Sequence, residues 1–385
     1  LLRRIIILVL ALTVVFAAVS PVAHAAASAL LLLPEFFPNA PARPLEWVTR
    51  APTKTTVQLP YAGRTAVADL YDPGTAGSHG GVVIFLGVNQ AGRDDPRVVR
   101  LGESLARIGL VTLVPESQDL LNDRVDPGEV DEVVAGFQYL AARPDVDPRR
   151  VGIGGLCIGA SLSLVAAEDP RINGRVALVN SFAGYFDLRS YAVSILTHSF
   201  EPDPPEPGGA RVPWEPAPIA TTVLADHLVS LDADPAEQQL LRAAVHDPQA
   251  PRPSPDRLTP VGRTVWSLLN TKDPATAERL LGELPPDAQQ TLDYLSPDTH
   301  LDRLQAQTFI MHDRNDSTVP YVQSRLLAAH LRPGQGEYDE FDLFNHVDPT
   351  APVSLPIFVR DTARLGWHMY QIVAILQGAV PVQRF

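Results

Sequence analysis

Cys157 is the single cysteine of the chain, and it stands in Gly155-Leu156-Cys157-Ile158-Gly159. An apolar run ends at Leu156 and a helical pattern begins at Ile158. A nucleophile carried on a sharp strand-to-helix turn needs small residues two before and two after it, because the turn leaves no room for a Cβ there. The start of a helix favours thiolate over thiol. The Ile158 amide, in the first turn, has no helical acceptor and is free to donate to an oxyanion. The competing reading is a buried structural cysteine, since free cysteine is among the most buried residue types. The flanking strand and helix favour the catalytic one.

A thiol needs a base, and the base needs a carboxylate to fix its tautomer. After the apolar run Thr308–Met311 comes His312-Asp313-Arg314-Asn315-Asp316-Ser317-Thr318-Val319-Pro320, a polar loop in which Asp316 is the candidate acid. Asp316 or Asp313 serving only as a turn or capping residue is the plain alternative. Asp187, in Gly184-Tyr185-Phe186-Asp187 after an earlier strand, is the alternative acid. Thirty residues past Asp316, a final extended run leads through Asn345 into His346, the candidate general base. Of the ten histidines only His346 has both the order and the loop position required, and His312 ranks as a supporting neighbour at best. The second oxyanion amide is expected in the loop Gly87-Val88-Asn89-Gln90-Ala91-Gly92, with Val88 the choice.

These groups must be presented by a common scaffold. Thr55–Tyr61 and Thr65–Tyr71 read as an antiparallel pair around the Ala62-Gly63 turn. Val82–Leu86, Leu110–Val114, Val151–Leu156 and Val176–Val179 are apolar runs expected of strands buried on both faces. Helical patterns lie between them, one opening at Asp95-Pro96 and the next at Asp126-Pro127. Thr308–Met311, a helix over Tyr321–Leu331, Tyr338–Leu343 and a long helix over Leu355–Leu376 complete the alternation. Such alternation predicts a doubly wound, mostly parallel sheet, with ligands bound beyond the carboxyl ends of its strands. Residues 189–295 interrupt the pattern with many prolines and short helices (Ile219–Leu231, Ala236–Val245, Pro260–Leu269) and no convincing strand. We read them as a helical lid inserted after the sixth core strand, leaving 55–188 and 296–385 as the core.

Ahead of the core, Arg3-Arg4, the apolar run Ile5–Val19, Ser20-Pro21 and Ala23-His24-Ala25 form the pattern of a secretory signal peptide, with an uncleaved anchor as the alternative because apolar residues resume at Ala29–Leu33. Either reading gives residues 1–33 a targeting or tethering role, residues 34–54 that of a Pro-rich connector, and the catalytic body a place across the membrane. Any membrane contact is assigned to this segment alone. The formal charge of −13, with only Lys54 and Lys272 as lysines, argues against sequence-independent nucleic-acid binding. No HExxH, GxxxxGK[ST] or strand-linked GxGxxG occurs, so neither a metal nor a nucleotide cofactor is expected.

Taken together, Gly155–Gly159, Asp316 with Val319-Pro320, and His346 resemble the dienelactone hydrolase family of the α/β-hydrolase superfamily. The resemblance covers roughly 55–188 and 296–376, with Ala160 where that family usually has a further glycine. It implies an α/β-hydrolase fold, a Cys-His-Asp triad, no cofactor, and hydrolysis of small or cyclic esters through a thioester. Two other classes stay open: another acyl-transfer enzyme, such as a peptidase or acyltransferase, and a non-catalytic envelope-anchored binding protein.

Overall fold

The computed structural model describes residues 20–205 and 209–385, so the apolar run Ile5–Val19 lies outside the described residues. The chain opens with helix α1 (Pro21–Leu32), capped by the Ser20 hydroxyl on the Ala23 amide, and a short helix α2 (Pro44–Val48). Strands β1 (Thr53–Tyr61) and β2 (Arg64–Asp72) pair antiparallel. From there strands and helices alternate: β3 (His79–Phe85), α3 (Pro96–Arg107), β4 (Leu110–Glu116), α4 (Gly128–Ala141), β5 (Val146–Leu156), α5 (Ile158–Glu168) and β6 (Leu178–Phe182).

Six helices follow, α6 (Leu188–Thr197), α7 (Pro218–Ser230), α8 (Pro235–His246), α9 (Pro260–Asn270), α10 (Pro274–Gly282) and α11 (Pro286–Tyr294). Two-residue strands β7 (Ser199–Phe200) and β8 (Val212–Pro213) form a small hairpin inside this insertion, where the sequence showed no strand. The sheet then resumes with β9 (Gln307–Asp313), α12 (Val322–His330), β10 (Gly336–Phe341) and the long terminal helix α13 (Leu355–Leu376).

Eight strands run in the order β1-β2-β4-β3-β5-β6-β9-β10, parallel except at β1 and β2. The expected doubly wound sheet is therefore present, with the insertion after the sixth strand. Its central members are apolar on both faces because helices cover both. Val83, Phe85 and Ile153 pack with Val133, Phe137 and Leu162 on the side of α4 and α5. Val82, Ile84 and Phe309 pack with Leu105, Val373 and Ile372 on the side of α3 and α13.

Sequence periodicity missed α6, α10 and α11. Each opens on Asp-Leu, Asp-Pro or Pro-Pro within a segment whose proline content masks short amphipathic repeats. A larger difference concerns α1. Its inner face, Ala25, Ala29 and Leu32, is buried in the same cluster as the sheet and α13. From Ser20 onward the residues expected only to target or tether are part of the packed body. Among the described residues no helix is long and apolar enough to cross a membrane.

Candidate active site

The strand β5 is buried on both faces, and it delivers Cys157 to the carboxyl end of the sheet at the start of α5. Cys157 adopts φ 58° and ψ −134°, a conformation that costs a non-glycine residue free energy and is retained where the surroundings enforce it. The enforcement is visible at both flanking glycines. A Cβ on Gly155 would collide with the backbone of Ala160 and Gly159, and one on Gly159 with the Leu86 and Phe85 carbonyls. The elbow therefore requires hydrogen at both positions.

The loop after β3 runs directly past Cys157. A Cβ on Gly87 would stand 2.6 Å from Cys157 Cβ and 3.2 Å from its Sγ. Val88 follows at once and lines the same cavity as Cys157 and Ile158. Among the described residues neither the Val88 nor the Ile158 amide donates a hydrogen bond within the chain, so both are available to an oxygen beside Cys157.

Strands β9 and β10 bring the other two groups. His346, at φ 60° in the loop after β10, donates from Nδ1 to Asp316 Oδ2 over 2.7 Å. Its Nε2 is buried without a standing hydrogen bond, on the side of Cys157. Burial disfavours the charged imidazole, but the Cys157 and Asp316 charges more than offset it and hold His346 well above the usual histidine range. Asp316 is itself buried. Burial alone would raise its pKa, yet His346 and His312 hold it well below the ordinary carboxylate range. Its second oxygen accepts the amides of Thr318 (2.7 Å) and Val319 (3.1 Å), which fixes the loop.

His312 is fully buried beside this pair. Its Nε2 donates to the Val319 carbonyl at 2.9 Å and lies 3.3 Å from Asp316 Oδ2, while its Nδ1 shares a 2.7 Å hydrogen bond with Ser324 Oγ. Asp313 has a different role: it accepts the Asn315 amide at 2.8 Å and the Phe344 amide at 2.9 Å. It thereby ties the end of β9 to the loop that carries His346, and burial pushes its pKa up to about 6. Asp187, the alternative acid, caps α6 through the Arg189 and Ser190 amides and, among the described residues, makes no ion pair with a histidine. The structure thus brings Cys157, His346, Asp316, Ile158 and Val88 to one place and gives Asp187 a structural task.

Three groups from the insertion reach the acid loop and left no signal in the sequence. Trp214 Nε1 donates to the Asp316 carbonyl at 2.8 Å, the Tyr191 hydroxyl to the Thr318 carbonyl at 2.7 Å, and the Ala217 amide to the Ser317 carbonyl at 2.6 Å. A tryptophan in a proline-rich stretch carries no periodicity that would have pointed to Asp316. The site opens on a cavity of about 390 Å³ whose walls are mainly apolar, with Phe36 and Leu32 on one side and Val223, Leu224 and Leu292 from the insertion on the other. Leu32 is the last residue of α1, so the N-terminal segment builds part of the pocket wall.

No protein-family model matches the chain, and no curated protein does. Solved structures do. A Mycobacterium tuberculosis puromycin-hydrolyzing peptidase is 17% identical, with 87% of this chain covering 41% of that one at a TM-score of 0.51. A 2,6-dihydroxy-pseudo-oxynicotine hydrolase is 12% identical over 87% of this chain and 71% of its own, at a TM-score of 0.49. A Pyrobaculum calidifontis esterase is 14% identical over 93% and 92%, at a TM-score of 0.48. At such identities the likeness speaks to fold alone, and the fold is that of the α/β-hydrolases.

Proposed function

We propose that the chain hydrolyses carboxylic esters or lactones with an apolar acyl part, through a thioester on Cys157. The observation that carries this reading is the Asp316–His346 hydrogen bond of 2.7 Å, with the free imidazole nitrogen turned toward a cysteine on a strained elbow. In this mechanism the Cys157 thiolate attacks the acyl carbon, and the carbonyl electron pair moves to an oxygen held by the Ile158 and Val88 amides. Collapse breaks the C–O bond to the leaving group, which takes the proton from His346 Nε2. Water then gives a proton to the same nitrogen and attacks the thioester. The second tetrahedral adduct expels the Cys157 thiolate and frees the acid. Asp316 keeps Nδ1 protonated and stabilises the imidazolium throughout.

Dienelactone hydrolase-like chemistry fits the order of the three residues, while the apolar cavity favours substrates with an apolar body over small charged ones. Arg3-Arg4 and the apolar run after them support a catalytic body held outside the cytoplasm, attached by its N-terminus. A panel of p-nitrophenyl esters of increasing acyl length, set beside lactones and peptide anilides, tests the reading. The expected result is ester turnover that rises with acyl length and disappears in Cys157→Ala. Preference for the anilides would make the enzyme a peptidase on the same groups, and no turnover on any of them would favour a binding protein.

A further inference from the structure

Helix α1 is apolar on two faces. Ala25, Ala29 and Leu32 point into the core, yet Val22, Ala26 and Leu30, spaced four apart on the flank beside them, are exposed, Leu30 by 70%. The segment contains no Asp, Glu, Lys or Arg. An ordinary surface helix keeps its outer face polar, and one that is apolar all round belongs between two apolar phases. Helix α13 repeats the pattern. Leu365, Met369 and Ile372 are buried, whereas Leu355, Val359, Ala363 and Trp367, again four apart, are exposed, Leu355 by 73% and Trp367 by 58%.

The two helices lie side by side in opposite directions. Gln377 Nε2 donates to Ser28 Oγ at 3.0 Å, the Cβ position of Gly366 is 3.6 Å from Leu33, and the Phe37 and Phe358 rings are 5.6 Å apart. Helix α2 packs against α1 with Leu45 inward and Trp47 outward, 72% exposed. Of ten large apolar side chains exposed among the described residues, eight belong to these three helices. Arg360 and Arg364 border the α13 stripe. Tryptophan, leucine and phenylalanine flanked by arginine are the composition of a surface that seats in the headgroup boundary of a bilayer.

We infer that the outer face of α1, α2 and α13 docks on a lipid bilayer. The chain itself indicates this occupant: the fifteen residues Ile5–Val19 that lead into Ser20 and α1 are apolar but for Thr13, so the segment preceding the face already suits a membrane. The negative net charge makes apolar insertion, rather than attraction to anionic lipid, the driving term. Because Leu32 and Phe36 line the cavity, docking sets one pocket wall close to the lipid. None of this depends on the catalytic reading.

The test reconstitutes the full chain into phosphatidylcholine vesicles with brominated acyl chains and reads tryptophan emission. Quenching is expected. It should fall several-fold in the double variant Trp47→Phe/Trp367→Phe and stay unchanged in Trp266→Phe, which alters the insertion. Leu30→Glu/Val359→Glu should also lose quenching while unfolding at the same temperature as the parent, since both positions are exposed. Quenching that is absent, or that survives in the Trp47/Trp367 variant, overturns the inference. So does a dimer in mild detergent that Leu30→Glu/Val359→Glu dissociates, which would make a second copy the occupant. Loss of quenching with protection of Trp367 by residues 1–19 in cross-linking would also overturn it.

Discussion

Asp316 is bonded on all sides: one oxygen takes two loop amides, and the other takes His346 with His312 close by. Asp316→Asn should therefore reduce turnover by roughly 10³- to 10⁴-fold, on the scale set by serine triads. It should also move the alkaline limb of the pH–rate profile toward neutrality, because the carboxylate is one of the charges that raise the His346 pKa. Asp187→Asn should leave that limb in place and change stability little, since asparagine caps a helix about as well as aspartate. Steady-state kinetics with circular dichroism on both variants check this, and a shifted limb in Asp187→Asn with an unshifted one in Asp316→Asn would reverse the roles. Sequence order put Asp316 first and kept Asp187 as the alternative, since either strand end permits an acid. The choice rests on which one reaches the imidazole. Cys157 and the glycines beside it were legible because a sharp turn leaves a local signature. Trp214 was not, because its contact with the Asp316 carbonyl spans 102 positions. Trp214→Phe removes that one hydrogen bond, so turnover should fall about fivefold with the fold intact. An unchanged rate would show that the insertion does not position the acid.

Elements were legible where their periodicity was clean and their neighbours regular. The alternation from β3 to β6 and the bounds of α13 could be read from apolar spacing, since each faces a uniformly apolar partner. The packing of helix α1 was not legible, because an apolar stretch after two arginines has the same composition whether it is cleaved, inserted or packed, and its contact with α13 spans 349 positions of the chain. A protein beginning at Ser20 should keep the unfolding temperature of the parent. One beginning at Glu46 should lose several degrees or aggregate, since Leu365, Val373 and Leu376 would be left uncovered. Thermal unfolding of the two proteins side by side decides it. Equal stability would return α1 to a purely targeting role.

The molecule as a whole buries carboxyl groups on α4 and α5. Burial pushes Glu129 up to about 8, Glu132 up to about 7, and Glu168, beside Asp298 and Asp302, well above its ordinary value. A carboxyl whose pKa rises on folding stabilises the native state fully below its unfolded value, about 4.5, and loses that contribution as pH climbs through its folded value. Asp316 and Glu340 work in the opposite sense. Glu340 is brought down to about 2: burial opposes this, but Arg325, Tyr338 and Arg314 outweigh it. Both acids therefore stabilise above about pH 4 and cease to do so in stronger acid. Stability to urea should peak near pH 5 and fall by about 2 kcal/mol or more by pH 8.5. Glu168→Gln should flatten that decline, and a profile flat from pH 5 to 8.5 in the parent would show these groups to be ionised at little cost. Intact-protein mass spectrometry of acid-quenched reactions tests whether sheet, elbow and insertion converge on a thioester at Cys157. With a p-nitrophenyl ester, the parent should carry one acyl group on the peptide containing Cys157, released by hydroxylamine and retained longer in His346→Asn. An acyl group on any other residue, or full turnover by Cys157→Ala, would contradict it.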